Sequence, residues 1–315
     1  MILKAGSVDC LYGDTGATKT SRLGDGAEYH GERTGGRPAH YISTDPGGWG
    51  PIQSLIDRGI IIPYKVSPNR PNLIWSLNAL MQGQWPQDIG DPDSPLKPTP
   101  ADEISCLLLD GLTSACEMVM QVYGRSVTVV NGTMQATDVK VPEMPRDSYI
   151  KSGDYVRRFY GRSDYMGVQA WAEERLMDLP NLPWPVILTC MECRGEDQQN
   201  KPIYGPQFAG SALTGRCGKL FGNLLHLDFL EEVPDPKDPK KMIPSNEPHP
   251  YLFLKQHVDP KDPLKIKYPA KVRAPRTLHE RVPAFCPPRL DLLYKFLDSL
   301  REEEREASKE APHAR

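Results

Sequence analysis

Strand-like apolar runs alternate with helix-like segments over the first 230 residues, and this alternation constrains the fold more than any other feature. Strand patterns lie at residues 7–12, 38–43, 60–66, 104–110, 186–189 and 224–230. Helical patterns lie at residues 18–31, 72–82, 113–123 and 165–177, between those runs. Because neighbouring parallel strands need a crossover connection, this order predicts an α/β fold with a mostly parallel sheet and helices on both faces.

Other segments lack this pattern. Residues 83–100 carry five prolines and are predicted to form a loop, and residues 126–150 are predicted to be irregular. The pentapeptide Asp-Pro-Lys-Asp-Pro occurs at 235–239 and again at 259–263, around the strand-like residues 251–254, which predicts two turns flanking a β-hairpin. Residues 289–306 place apolar side chains at helical spacing and predict a terminal amphipathic helix. We therefore expect a core over residues 1–232, a hairpin extension over 233–282, and a helix with a charged tail over 283–315.

Composition indicates the cellular compartment of the protein, the redox state of its cysteines and its overall attraction to nucleic acid. No run of 18 apolar residues occurs, and the first residues lack the pattern of a signal peptide, so we expect a cytoplasmic protein without a membrane partner. The cysteine count is seven, an odd number that favours reduced thiols, and Cys190 and Cys193 form a single C-x-x-C motif without a second pair to complete a zinc site. A net charge of −3 gives no global attraction to nucleic acid, so any polyanion site must be a local patch.

The turn between the first strand and the first helix has the composition of a phosphate-binding loop. Backbone N–H groups of such a loop and of the following helix point at an anion, the lysine adds a point charge, and the next hydroxyl binds Mg²⁺. The sequence therefore predicts an ATP and Mg²⁺ site. Thr18 stands where the usual motif has glycine. The residues of the predicted loop are Gly13, Asp14, Thr15, Gly16, Ala17, Thr18, Lys19, Thr20 and Ser21.

Two carboxylates follow predicted strands and are candidates for the same site. Asp110 ends the apolar run 107–109, as expected of the acid that positions Mg²⁺, and Asp45 follows the run 41–44, where it could polarise the attacking water. Ligands of open parallel sheets bind at the carboxyl ends of the strands, where both acids would emerge. The alternative for each is a turn residue with a structural role only.

In this arrangement the chain resembles the RecA-like recombinase ATPases, over about residues 7–232, in the order and spacing of its elements. Thr44-Asp45 resembles the position of the family's catalytic glutamate, and residues 109–113 resemble its Walker B strand and turn. Glu192 is placed like a polar switch residue that senses the γ-phosphate, and residues 205–213 are similar to the glycine-rich end of the second DNA-binding loop. Small phage-type ATPases with a bare RecA core, which assist single-strand annealing, resemble the chain most. The resemblance implies a RecA-like P-loop NTPase core that assembles as a homo-oligomer, either a ring or a filament.

Two basic segments are candidates for binding polyanions. In residues 140–162, cations are interleaved with Tyr149, Tyr155, Phe159 and Tyr160, which is the composition of a surface for single-stranded DNA. The resemblance places the first DNA-binding loop in this segment, and the alternative is a solvated loop with locally packed tyrosines. The candidate cations are Lys140, Arg146, Lys151, Arg157, Arg158 and Arg162.

The second basic segment, residues 255–281, follows the core, where the resemblance implies a cation that reaches the nucleotide of a neighbouring subunit. Lys267, Lys271 and Arg273 are the candidates, and a hairpin whose lysines prevent edge-to-edge aggregation is the alternative. His40, His226 and His257 share no spacing, and the sequence assigns them no role.

The leading hypothesis is an ATPase that acts on nucleic acid in phage-type recombination, annealing or replication. In it Lys19, Asp45, Asp110 and Glu192 carry the chemistry, and Thr20 and Asp110 bind the metal. One alternative is a nucleotide-binding loader or partner protein that barely hydrolyses ATP, favoured by Thr18 and by the short side chain of Asp45. Another is a small-molecule kinase that uses the same loop, with residues 140–162 as its lid.

Overall fold

The structure is a computed structural model of the chain. It describes residues 7–44, 49–65, 84–86, 96–98, 102–123, 125–130, 133–140, 150–151, 154–159, 162–196, 202–208, 213–214, 217–229, 232–235, 238–244, 250–258 and 267–310.

Among the described residues, strands and helices alternate over residues 8–65, several strands follow one another directly between residues 84 and 159, and short strands prevail after residue 230. In chain order, the strands are β1 Val8–Gly13, β2 Ala39–Ser43, β3 Ile61–Lys65, β4 Gln84–Pro86, β5 Leu96–Pro98, β6 Leu107–Asp110, β7 Arg125–Val130, β8 Thr133–Lys140, β9 Ile150–Lys151, β10 Asp154–Phe159, β11 Val186–Glu196, β12 Pro202–Pro206, β13 Asn223–Asp228, β14 Glu232–Asp235, β15 Asp238–Pro244, β16 Tyr251–Phe253, β17 His257–Val258, β18 Lys267–Tyr268 and β19 Phe285–Cys286. The helices are α1 Lys19–Arg33, α2 Gln53–Asp57, α3 Leu112–Tyr123, α4 Arg162–Asp178 and α5 Leu290–Glu310, with short 3₁₀ turns at Gly50–Ile52, Leu179–Asn181, Cys217–Lys219 and Arg276–Arg281.

Within the described residues, the main sheet is mostly parallel. Six parallel strands lie in the order β13-β1-β11-β6-β2-β3. The strands β16 and β19 extend the sheet beyond β13 in antiparallel pairing, and β12 pairs antiparallel with β11. In register, Gly13 lies beside Met191 and Leu227, and Ser43 lies beside Asp110. The carboxyl ends of these strands therefore meet at one edge of the sheet, and the predicted α/β class is confirmed.

Helices cover both faces of this sheet because successive strand residues point to opposite faces. On one face, Cys10 and Tyr12 of β1 share a core with apolar residues of α3 and α4. On the other, Leu11 shares a second core with residues of α1, α2 and α5. The near-continuous burial of β1, β2 and β6 follows from this double cover.

Helix α1 has an unusual glycine content for an element that lies against the sheet. A Cβ at Gly26 would lie 2.4 Å from Cδ1 of Ile187, and a Cβ at Gly24 would lie 2.7 Å from Cδ1 of Leu55. Each glycine costs a helix about 1 kcal/mol relative to alanine. The close approach that these glycines allow offsets that cost through packing, so tertiary contacts hold a helix of poor intrinsic propensity.

The predicted amphipathic helix is confirmed as α5, which packs on the face covered by α1. Its apolar stripe is buried, and the hydroxyl of Tyr294 donates a hydrogen bond of 2.9 Å to Oδ2 of Asp9 in β1. Asp9 also accepts hydrogen bonds from the backbone N–H and the side-chain amide of Asn223. Burial raises the pKa of the Asp9 carboxyl despite these donors. The C-terminal helix is therefore tied to the central strand through a buried polar network.

Several sequence predictions about the remaining segments are wrong. Residues 126–150 contain β7 and β8, which belong to a second, antiparallel sheet of order β8-β7-β10-β9, and residues 83–100 contain the paired strands β4 and β5. Tyr251–Phe253 is a strand of the main sheet, whereas the first Asp-Pro-Lys-Asp-Pro segment joins β14 to β15. The predicted helix at 72–82 and the second pentapeptide, at 259–263, lie outside the described residues. No helix among the residues described has the length and apolar character needed to cross a bilayer.

Candidate functional site

The predicted phosphate loop lies between β1 and α1, at the carboxyl edge of the main sheet. Gly13 ends β1 where the chain runs against β13, and a Cβ there would lie 2.4 Å from the carbonyl oxygen of Leu227. Gly16 has φ +82°, a left-handed conformation that glycine adopts without steric cost. Both glycines are thus required by the path of the backbone.

Thr18 adopts a conformation that β-branched residues rarely take. Its φ is 55° and its ψ is 22°, the left-handed region, and it immediately precedes the first residue of α1. Its hydroxyl oxygen is buried and has no hydrogen-bond partner among the described residues. The position where the usual motif has glycine therefore demands a glycine-like backbone in this chain too, and threonine occupies it under strain.

Lys19 folds back over the loop. Its Nζ donates hydrogen bonds to the carbonyl oxygens of Gly13, at 2.9 Å, and Asp14, at 2.8 Å, and lies 3.6 Å from the sulfur of Met191. The ammonium is therefore held above the turn by neutral acceptors, and an anion in their place would add the attraction between opposite charges.

Asp110, at the end of β6, is the acid that the structure brings to the loop. Thr20 Oγ1 donates to its Oδ2 at 2.8 Å, although β11 lies between β1 and β6 in the sheet. The hydroxyl of Tyr41 donates to the same oxygen at 2.6 Å, and Thr189 Oγ1 donates to Oδ1 at 2.5 Å. Asp110 is 3% exposed, so hydroxyl groups replace water around this carboxylate. The sequence predicts Thr20 and Asp110 at this site but not Tyr41 and Thr189, whose one signal is a polar group within a buried strand.

The turn after Asp110 is fixed by the neighbouring strands. Gly111 has φ +87°, and its N–H donates to Thr189 Oγ1 at 2.8 Å. Thr44, at the end of β2, donates its hydroxyl to the carbonyl oxygen of Gly111 at 2.5 Å. Asp45, the predicted water-polarising acid, lies outside the described residues, and its role stays a prediction.

Glu192 lies on β11 just beyond the loop, beside a cavity of about 290 Å³ lined by Asp14, Glu192, Cys193, Arg194 and Gln207. Its side chain is 3% exposed, with Oε1 2.6 Å from Nε of Arg194 and Oε2 3.0 Å from Nε2 of His226. Burial alone would raise the pKa of Glu192, but the hydrogen bonds from His226 and Arg194 outweigh burial and hold it below the usual value. The Glu192 carboxyl is therefore buried and held between two nitrogen partners at the side of the loop.

Two histidines that received no role from the sequence lie in contact. Nδ1 of His226 is 3.2 Å from Nε2 of His257, and Asp228 lies beside them. Residue spacing does not reveal this pair, because His226 lies on β13 and His257 begins β17. The antiparallel pairing of β13 with β16, the strand before β17, brings the two histidines together.

The predicted nucleic-acid residues lie on the second sheet and next to it. Lys140 ends β8, Lys151 ends β9, Arg157 and Arg158 lie within β10, and Arg162 begins α4. Arg146 lies outside the described residues. The segment is thus a strand-rich unit where a loop was expected, and DNA binding stays a prediction.

The basic residues predicted to reach the nucleotide of a neighbouring subunit lie in and after β18. Lys267 is in β18, the backbone of Lys271 exchanges hydrogen bonds with Leu224, and the N–H of Arg273 donates to Oδ1 of Asn223 at 2.8 Å. Asn223 and Leu224 open β13, whereas the loop lies beside Leu227 near its other end. Lys271 and Arg273 therefore lie toward the edge of the sheet opposite their own phosphate loop.

No protein-family model matches the chain, and no curated protein matches it in sequence. Among solved structures, the chain is similar to a KaiC-like protein of the hyperthermophilic archaeon Pyrococcus horikoshii, with 12% identity and a TM-score of 0.34, over 79% of this chain and 85% of that one.

Proposed function

We propose that the chain is a RecA-like ATPase that binds ATP and Mg²⁺ at the loop between β1 and α1. The observation that carries the proposal is the 2.8 Å hydrogen bond between Thr20 of the loop helix and Asp110 at the end of β6. A hydroxyl and a carboxylate are hard oxygen ligands of the kind that Mg²⁺ prefers, and they meet directly beside a phosphate-type loop. The residues therefore fit the metal.

The loop residues supply the binding groups. Lys19 would exchange the carbonyl oxygens of Gly13 and Asp14 for phosphate oxygens, and the first N–H groups of α1 lie at the same place. Thr20 and Asp110 would hold Mg²⁺, with Tyr41 and Thr189 fixing the carboxylate. When bound, the metal neutralises charge on the phosphate oxygens.

Two acids would complete the site. Asp45 comes two residues after Ser43, the end of β2, which lies beside Asp110 in the sheet, and we assign to Asp45 the task of orienting water. Glu192 lies on the cavity beside Asp14, and we assign it the sensing of the outer phosphate through its bonds to Arg194 and His226.

The test is hydrolysis of MgATP by the wild type and by Lys19→Ala. Because Lys19 is the cation at the loop, its loss should reduce kcat/KM about 100-fold or more. Lys219→Ala, at an exposed lysine of a 3₁₀ turn, is the matched control and should leave hydrolysis unchanged. Equal hydrolysis by Lys19→Ala and wild type would remove the proposal.

The strained Thr18 favours a second candidate function, a nucleotide-binding partner or loader protein with little turnover. Its Cβ occupies the place where phosphate loops need close backbone approach. Tight MgATP binding by calorimetry together with turnover at the level of buffer would support this second function, and brisk turnover would exclude it.

We also propose that single-stranded DNA binds the basic residues of β8, β9, β10 and the start of α4. We further propose that the chain forms a homo-oligomer in which Lys267, Lys271 or Arg273 reaches the nucleotide of a neighbouring subunit. Gel shifts across a salt series test the DNA part, since phosphate contacts give a steep salt dependence. Arg157→Glu combined with Arg158→Glu should weaken binding by about 10-fold or more. Unchanged binding by this double variant would contradict the assignment.

A further inference from the structure

We propose that His226, Asp228 and His257 form a binding site for a transition-metal ion, with Zn²⁺ as the class of occupant. One nitrogen of each histidine and one carboxylate oxygen of Asp228 all lie within 4.8 Å of one another. Two imidazoles and a carboxylate are a donor set that favours zinc over magnesium or calcium. This site is separate from Thr20 and Asp110, and it does not depend on the proposed nucleotide function.

The spacing of the two imidazoles suits a shared ion. In a tetrahedral zinc site with bonds of about 2.0–2.1 Å, two nitrogen ligands are about 3.3 Å apart. Nδ1 of His226 and Nε2 of His257 are 3.2 Å apart. The two nitrogens therefore need little movement to become ligands of one ion that lies between them, once His257 takes the tautomer that carries its proton on Nδ1.

The surroundings of His226 set which of its nitrogens is available. Nε2 lies 3.0 Å from the carboxylate of Glu192, which is an acceptor, so Nε2 carries the proton and Nδ1 presents its lone pair toward His257. A carboxylate behind a ligating histidine is the usual outer partner of zinc sites, where it fixes the tautomer and makes the ligand more basic. Glu192 is therefore a positioning residue for this site.

Aromatic rings hold both imidazoles in place. His226 stacks with Tyr12 and with Tyr268, whose ring centroids are 4.5 Å and 4.6 Å away, and His257 stacks on Phe253 at 3.6 Å. His226 is fully buried, whereas Asp228 and His257 are half-buried, so an ion can enter from their side. The ligands are thus ordered before binding, which reduces the entropic cost of capturing the metal.

The backbone explains why the three ligands share one place. His226 and Asp228 are two residues apart on β13 and so point to the same face of that strand. Phe253 of β16 lies opposite His226 in register, and the chain reaches His257 four residues later. The site therefore depends on the antiparallel extension of the sheet beyond β13.

The experiment uses the full chain in the absence of nucleotide. Co²⁺ is added as a spectroscopic substitute for Zn²⁺. We expect one Co²⁺ per chain, with the visible absorption of a tetrahedral ion, without a near-ultraviolet thiolate charge-transfer band, and undiminished in excess Mg²⁺. His257→Gln should lose this absorption. His279→Gln, which changes an exposed histidine on the 3₁₀ turn before α5, is the matched control and should keep it. Absorption that is absent in wild type, retained in His257→Gln, or accompanied by thiolate charge transfer would overturn the proposal.

Further variants cover the case in which His257→Gln fails to fold, as judged by circular dichroism. Asp228→Asn changes a half-buried ligand to one of nearly the same size and should also lose the absorption; retention would overturn the proposal. Glu192→Gln, in a variant that circular dichroism shows to be folded, should weaken Co²⁺ binding about 10–100-fold and shift the absorption band. An unchanged band and affinity would overturn the positioning role of Glu192.

Discussion

At the scale of single residues, the fold fixes the orientation of the Asp110 carboxylate through hydrogen bonds. Three hydroxyl groups, from the loop helix and from two neighbouring strands, donate to one buried carboxylate. Hydrogen bonds to a charged acceptor are worth about 1.5–3 kcal/mol each, so the side chain is fixed in one orientation. The carboxylate is therefore in place before any ligand arrives.

Thr18 gives a prediction about stability. A left-handed backbone costs a residue with a Cβ roughly 1–2 kcal/mol, and replacement by glycine relieves this strain but loses part of the gain to unfolded-state entropy. Thr18→Gly should therefore raise the free energy of unfolding by about 1 kcal/mol, measured by urea denaturation. Thr15→Gly changes an exposed threonine of the same loop with a negative φ and should give no gain. Equal effects of the two substitutions would contradict the strain at Thr18.

The sequence predicts those residues of the site that are recognisable from their immediate neighbours in the chain. Lys19 and Thr20 belong to the glycine-containing loop, and Asp110 follows an apolar strand. The residue types and their positions are therefore enough to predict all three at the site. Tyr41 and Thr189 reach Asp110 across 69 and 79 residues of chain, and His226 reaches His257 across 31. These contacts depend on strand order and register, which residue spacing does not contain.

At the scale of elements, α5 should behave as part of the core although it lies at the end of the chain. Leu293 is 3% exposed against the face covered by α1, and its neighbour Leu292 is 53% exposed. Leu293→Ala should cost about 2–5 kcal/mol of unfolding free energy because it leaves a cavity, while Leu292→Ala should cost less than about 0.5 kcal/mol. Thermal and urea unfolding measure both. Similar losses for the two variants would show that the helix does not pack as described.

The same scale shows where sequence patterns were sufficient and where they were not. The helices α3, α4 and α5 were found close to their observed ends, because long periodic segments give strong signals. Strands β7 and β8 were missed even though Asn131-Gly132, a typical hairpin dipeptide, lies between two strand-like runs. Strand β16 was assigned to a separate hairpin because its partner, β13, is distant in the sequence.

At the scale of the whole molecule, buried histidines make stability depend on pH. Burial, together with the positive charge of Arg33, lowers the pKa of His30 from 6.5 to about 4. The unfolded chain then binds a proton between about pH 6.5 and pH 4 that the folded chain does not bind. The stability linked to His30 is thus fully present above about pH 6.5 and is lost as the pH falls through this window, by up to roughly 3 kcal/mol.

His30→Phe tests this dependence, since it removes the titrating group and keeps an aromatic ring beside Tyr29 and Tyr294. Urea unfolding at about pH 7 and about pH 4.5 should show a smaller loss of stability in the variant than in the wild type. Asp25, whose pKa burial raises to about 6, acts in the opposite direction and cancels in the comparison. An equal loss in both proteins would contradict the role of His30.

The eleven-residue strand β11 carries Thr189, which bonds to Asp110, and Glu192, which bonds to His226, about 10 Å further along the same backbone. An ion bound by His226 would alter the contact of His226 with Glu192. Glu192 lies on the same strand as Thr189, which supports Asp110 at the loop. Thermodynamic linkage then requires reciprocity: whatever factor cobalt applies to the affinity for MgATP, MgATP must apply to the affinity for cobalt. Two titrations in opposite order would measure one coupling energy, and a coupling energy of zero would show that β11 does not link the two binding events.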